Sequence, residues 1–289
     1  MNDTTHPLNA TAHGSNPDRR RFTPFSVLTA LGLTAWAGAV LPAPASAQDP
    51  ETRGLAVAQA ADARDTGWGD DASTMQMVLR NRGGQESTRT LRRMALETHG
   101  EGLGDRSIIV FEAPRDIEGT ALLSHTRILE PDDQWLYLPA LRRVKRISSG
   151  NKSGPFVGSE FAYEDLVSQE VDKYDYRWLR TEPCGDLECE VVERYPRYEN
   201  SGYTKQVVWW DTEEYRIQRV DFHDRKGDLL KTLTWEGYAA YGDGYWRPDR
   251  MVMENHQNGK STVLVFEEWR FGAGLDEDDF TPSRLRTTR

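Results

Sequence analysis

Apolar and polar residues alternate in short runs along most of this chain. Met75, Met77 and Leu79 share one side of residues 74–80, the period of a strand buried on one face. Residues 88–98 repeat the pattern, with Met94 and Leu96 on one side and Arg89 and Arg93 on the other. The run Ser107-Ile108-Ile109-Val110-Phe111 is apolar on both sides and calls for cover on both. Residues 120–129 form another strand. Trp135-Leu136-Tyr137-Leu138 is again apolar on both sides, Trp135 and Tyr137 on one and Leu136 and Leu138 on the other. Tyr174, Tyr176 and Trp178 share a face of residues 172–180.

Turn signals separate the later strands: Asp211-Thr212-Glu213-Glu214, Lys226-Gly227-Asp228, Gly242-Asp243-Gly244 and Asn258-Gly259. The last predicts a two-residue hairpin. Helical signals are few. Residues 55–64 are Ala-rich, and Gly67-Trp68-Gly69 ends them. Residues 160–169 predict a short amphipathic helix, with Phe161, Ala162 and Leu166 on one side and Glu164, Asp165 and Gln169 on the other. Residues 276–280 form an acidic ending, either the first turn of a short helix or a loose tail. The total is about ten or eleven strands joined mostly by hairpins, with no βαβ alternation. A mainly β fold follows: one antiparallel, strongly curved sheet or barrel with short helices on one side.

The first 47 residues stand outside this pattern. Arg19-Arg20-Arg21 precedes an apolar run from Phe25 to Leu41, and Ala45-Ser46-Ala47 follows. That order predicts a secretory signal cleaved after Ala47, leaving a single soluble domain over 48–289. The apolar run carries Thr29, Gly32, Thr34 and Gly38, a poor composition for a permanent span. Arg19-Arg20-Arg21-Phe22 fits both a twin-arginine signal and an ordinary one. Residue 48 is Gln, so a lipidated cysteine is not expected there. Export in turn predicts that Cys184 and Cys189, either side of a Gly-Asp turn, form a disulfide clamping a hairpin.

A net charge of -10 argues against general nucleic-acid binding. Four cations nevertheless crowd into five positions, Arg142, Arg143, Lys145 and Arg146. They fit either a charged strand edge that blocks aggregation or a contact for anionic head groups or an acidic partner. The histidines show no metal-ligand spacing, Ser153 lacks a nucleophile elbow, and residues 276–279 lack the pattern of a calcium loop. No catalytic residue, cofactor or metal is predicted.

The segment from Trp135-Leu136-Tyr137-Leu138-Pro139 through the basic run to residues 148–166 (SSGNKSGPFVGSEFAYEDL) resembles the outer-membrane lipoprotein-sorting, or LolA-like, superfamily. It is most similar to the branch described alongside RND/MMPL-type exporters. Trp135, Tyr137 and Pro139 match the strand that precedes the family's lid, and Pro155-Phe156 leads into that lid. The resemblance implies an unclosed β-barrel whose helices form a lid over an apolar cavity for acyl chains. It implies a periplasmic, non-enzymatic, monomeric carrier of lipid or lipoprotein in outer-membrane biogenesis, served by an inner-membrane RND/MMPL-type exporter. The expected cavity residues are Trp135, Leu136, Tyr137, Leu138, Phe156, Phe161 and Leu166. Arg142, Arg143, Lys145 and Arg146 are the expected contacts for head groups or a partner. The neighbouring alternative is an envelope-stress sensor that binds a protein through the basic strand.

Overall fold

A computed structural model describes residues 48–242 and 244–287. The expected signal segment, 1–47, lies outside the described residues. The chain enters through helix α1 (Pro50–Arg64), which is longer than its Ala-rich stretch. Asp49 caps it, accepting from the Thr52 amide at 3.2 Å, and Pro50 occupies the first turn, where a missing N–H costs nothing.

Six strands follow: β1 (Asp70–Arg80), β2 (Glu86–Leu96), β3 (Leu103–Ala113), β4 (Ala121–Arg127), β5 (Asp133–Leu138) and β6 (Arg143–Arg146). The second run is β7 (Tyr174–Cys184), β8 (Leu187–Pro196), β9 (Tyr203–Asp211), β10 (Ile217–Asp224) and β11 (Leu229–Glu236). A small separate hairpin, β12 (Ala239–Tyr241) and β13 (Tyr245–Arg247), precedes β14 (Arg250–Asn255) and β15 (Ser261–Phe271). All but β12 and β13 join one antiparallel 13-stranded sheet in the order β6-β5-β4-β3-β2-β1-β15-β14-β11-β10-β9-β8-β7. The expected strand count falls short because β6, β12 and β13 are only three or four residues long, too short to show an alternating period.

The sheet is curved and does not close, since β6 and β7 are its two free edges. Register shifts at Ala72/Thr74, Thr90/Leu91 and Trp178/Arg180 insert the extra residues that bend it. The connection between β6 and β7 therefore runs from one free edge to the other. It forms a strap across the inner face.

Two cores result. The inner face gathers Met75, Met77, Leu91, Phe111, Val208, Phe222 and Leu264, with Val57 and Ala58 of α1. The outer face of β3 and β4 carries Ile108, Val110, Ala121 and Leu123 beneath Phe280 and Leu285. Of the two expectations for residues 276–280 the short helical turn holds: a 3-10 turn (Glu277–Phe280) buries Phe280, and the His125 ring nitrogen meets the Phe280 carbonyl at 2.7 Å. This cover meets the demand of the doubly apolar β3.

Two local expectations change, and the two sides of β2 are assigned as alternation predicts. Asn258-Gly259 closes no two-residue turn; Asn255 and Lys260 pair, leaving a four-residue loop with Gly259 at φ +71°. Met94 and Leu96 of β2 face the outer core, so Arg93 faces inward. The segment 160–169 is not an amphipathic helix. Only Tyr163–Leu166 forms a 3-10 turn, because its backbone bonds are spent elsewhere: Tyr163 N to Gly154 O at 3.1 Å, Glu164 N to Lys152 O at 2.9 Å. The expected disulfide is present, Cys184–Cys189, across the β7–β8 turn.

Helix α1 lies on β7 at backbone contact. A Cβ on Gly54 would sit 2.8 Å from the Trp178 nitrogen. Beside it Arg53 stacks 3.8 Å over the Trp178 ring and pairs with Glu190 at 2.9 Å. Gly54→Ala should therefore lift the helix and cost about 1–3 kcal/mol in urea unfolding. Leu55→Ala, at an exposed position, should stay within about 0.5 kcal/mol of the parent.

Candidate ligand-binding site

The strap between β6 and β7 is held by buried charge. The carboxylate of Asp132, just before β5, takes Lys173 Nζ at 2.7 Å and Lys152 Nζ at 3.5 Å. All three side chains are at most 2% exposed. Lys173 also donates to the Arg127 carbonyl at 2.8 Å, and each ammonium lies 4.9 Å from the Tyr198 ring. Burial pulls the Lys173 ammonium below its usual range, and Asp132 counters that pull. Asp165 pairs with Lys231 of β11 at 2.6 Å, also buried. Glu164 accepts from the Gly202 amide at 2.8 Å and the Ser201 hydroxyl at 2.9 Å. Glu164 and Asp165 were expected on a solvated side. The structure buries both, because they tie the strap to the second half of the sheet.

Under the strap lies an apolar cavity of about 190 Å³. Phe156, Phe161 and Leu166 roof it, and Met75, Met77, Leu91 and Leu264 form its floor. It runs into a wider groove of about 630 Å³ between the sheet, α1 and the β12–β13 hairpin. Arg93, Asp105 and Ser168 line both spaces. Aromatic walls, Trp68, Trp210, Trp235, Trp246 and Trp269, alternate with charged groups in the groove. Arg216 stacks on Trp246 at 4.5 Å and pairs with Asp211 at 2.8 Å. Arg247 pairs with Asp65 at 2.6 Å.

Only some of the expected cavity residues meet this space. Phe156, Phe161 and Leu166 line it, while Leu136 and Leu138 belong to the inner core without lining it. Trp135 and Tyr137 are a correction: strand alternation sends them to the outer face, where they pack against the Phe280–Leu285 cluster. Arg142, Arg143, Lys145 and Arg146 do not rim the cavity. All four are exposed at edge strand β6, and Arg146 pairs with Asp133. Sequence reasoning missed the groove and its polar floor. Asp71 and Ser73 continue the inward side of Met75 and Met77, but as polar residues they broke the apolar period.

Comparison with known proteins places the chain. A family model described only as "Uncharacterized protein" matches residues 104–287. No curated protein matches the chain. Among solved structures, a Vibrio parahaemolyticus domain assigned, provisionally, as an outer membrane lipoprotein-sorting protein is 53% identical, with TM-score 0.79, over 82% of this chain and 99% of that one. A DUF1329 family protein from Desulfovibrio piger is 32% identical, with TM-score 0.77, over 82% and 99%. The chain belongs to the DUF1329 family. A LolA superfamily protein from Nitrosomonas europaea, 21% identical with TM-score 0.64 over 79% and 97%, shares the fold. This DUF1329 chain thus has the LolA-like open sheet that the Trp135-to-Leu166 segment led us to expect. No helix among its described residues is long and apolar enough to cross a membrane.

Two outcomes follow. Asp132→Ala should cost about 3–5 kcal/mol in urea unfolding, since it strands two buried ammonium groups. Adding Lys152→Met and Lys173→Met should restore most of that loss. The second concerns Asp105, where burial and the adjacent Glu170 push the carboxyl up to about 7, with Glu97 adding and Thr98 N–H and Arg93 opposing. A raised folded pKa favours the fold at low pH, and that contribution is lost as pH rises through about 7. Asp105→Asn should therefore stabilise the DUF1329 chain by about 1–2 kcal/mol at alkaline pH, discounting for partial exposure. The gain should fade toward pH ~4 in a thermal-melt series.

Proposed function

We propose that this chain is a periplasmic, non-enzymatic, monomeric carrier that holds a lipid or the acyl chains of a lipoprotein beneath the strap. It serves outer-membrane lipid or lipoprotein traffic, with an inner-membrane RND/MMPL-type exporter as its donor. One observation carries the reading: an apolar space roofed by Phe156, Phe161 and Leu166 and floored by Met75, Met77, Leu91 and Leu264, continuous with an open groove. Water gains little in such a space, whereas each methylene of a chain placed there is favoured by about 0.8 kcal/mol. The 53% identity to a domain provisionally assigned to lipoprotein sorting supports the same class of work.

The cavity alone is small for a full acyl chain, so the groove must take the remainder. Native mass spectrometry of the purified protein should find a bound lipid. Leu166→Glu, which puts a charge in the roof, should lower its occupancy at least about tenfold with little change in melting temperature. A protein that purifies empty and takes up no lipid would sink the proposal.

A second reading is an envelope-stress sensor that binds a partner. Its support is Arg142, Arg143, Lys145 and Arg146, exposed at edge strand β6, which has a partner on one side only. Reversing these charges should abolish capture of an acidic protein partner and leave lipid occupancy unchanged; loss of lipid occupancy instead would place the cations on the carrier's path.

A further inference from the structure

The ion pairs of the groove leave one end of it uncompensated. Asp62 of α1, Asp105 of β3 and Glu170 of the strap all line this end. Among the described residues none of them pairs with a Lys or Arg. Asp105 accepts from the Thr98 amide at 3.1 Å, and Glu170 accepts from the Ser168 hydroxyl at 2.5 Å and the Asp105 amide at 3.4 Å. Glu97, held by the amides of Gly67 and Gly69, has only His99 near it, at 3.9 Å. Burial acts first to push both the Asp62 and Asp105 carboxyls up.

A second observation is independent of that cluster. Asp71 lines the same groove and is 1% exposed. Its Oδ1 meets Arg93, but its Oδ2 has no partner, and the nearby Thr98 hydroxyl also lacks one. Buried polar atoms are normally satisfied, and an unpaired carboxylate oxygen costs more than a neutral one. The groove's arginines do not offer a rival anion site. Arg216, Arg247 and Arg64 are each bound to a carboxylate, and Arg194 is buried against Gln206 at 2.7 Å and over the Tyr174 ring.

Asp105 and Ser168 line the apolar cavity as well as this acidic end. One ligand can therefore touch both. We propose that the acidic end receives a protonated amine on the head of the amphiphile whose apolar part lies beneath the strap. The inference rests on the carrier reading and specifies its cargo. An ammonium group supplies the cationic partner that Asp105 and Glu170 lack, and it neutralises charge where desolvation is already expensive.

The test compares three amphiphiles of one chain length, dodecylammonium, dodecyl maltoside and dodecyl phosphate, below micelle formation. Binding to the purified protein is read by titration calorimetry at about pH 8, where Asp105 is ionised. Dodecylammonium should bind on the order of tenfold tighter than the other two. The double variant Asp105→Asn, Glu170→Gln should lose that preference and keep its binding of dodecyl maltoside. Glu170→Gln alone should lose part of it, which answers the question if the double variant does not fold. Equal binding of all three, tighter binding of the phosphate, or a preference that survives in the variants would overturn the amine assignment and leave carriage standing. Failure of all three to bind would remove carriage itself, and the amine site with it.

Discussion

An open sheet has no hydrogen bonds to hold its two edges near each other. In this protein that task falls to one buried carboxylate. Asp132 sits at the entry to β5, next to one edge, and Lys173 at the entry to β7, the other edge. Their contact, with Lys152 from the strap, draws both flanks over the inner face. The arrangement is costly to desolvate, and a hydrophobic substitute could match its stability. What an apolar cluster would not supply is direction, because it could slide. A bidentate carboxylate with two ammonium groups and a Tyr198 face fixes where the strap lies.

That fixing shapes the site. The strap is a run of tight turns knit by its own backbone bonds, and it roofs the cavity in a defined position because Lys152, Glu164 and Asp165 anchor it to three separate parts of the fold. Its underside presents Phe156, Phe161 and Leu166. Any movement that admits a ligand must break buried charge pairs, or enter sideways through the groove. The groove is open, and so the second route needs no such break.

The fold was readable in the chain because the strands advertise themselves by period and the hairpins by their turns. The doubly apolar 107–111 correctly demanded two covers, and the Cys184–Cys189 turn correctly demanded a bridge. The site was half readable. Phe156, Phe161 and Leu166 declared themselves as apolar residues in a lid. Trp135 and Tyr137 misled, because size and aromaticity say nothing about which side of a sheet a residue takes. Asp71, Ser73 and Arg93 misled in the opposite way: polar residues on an inward face look like a solvated one. Charge pairs such as Asp132–Lys173 join positions far apart in sequence, and no local pattern marks them.

The sheet order has one further consequence. The first strand of the domain, β1, pairs with the last, β15, and that pair lies at the middle of the sheet. The floor of the cavity straddles this seam, with Met75 and Met77 on one side and Leu264 on the other. A growing chain can build the β1–β6 meander early, but it carries an unpaired, apolar-flanked edge at β1 until the final strand arrives. The floor is thus completed only when β15 docks on β1, and a chain cut short before Ser261 lacks both Leu264 and the partner of that edge.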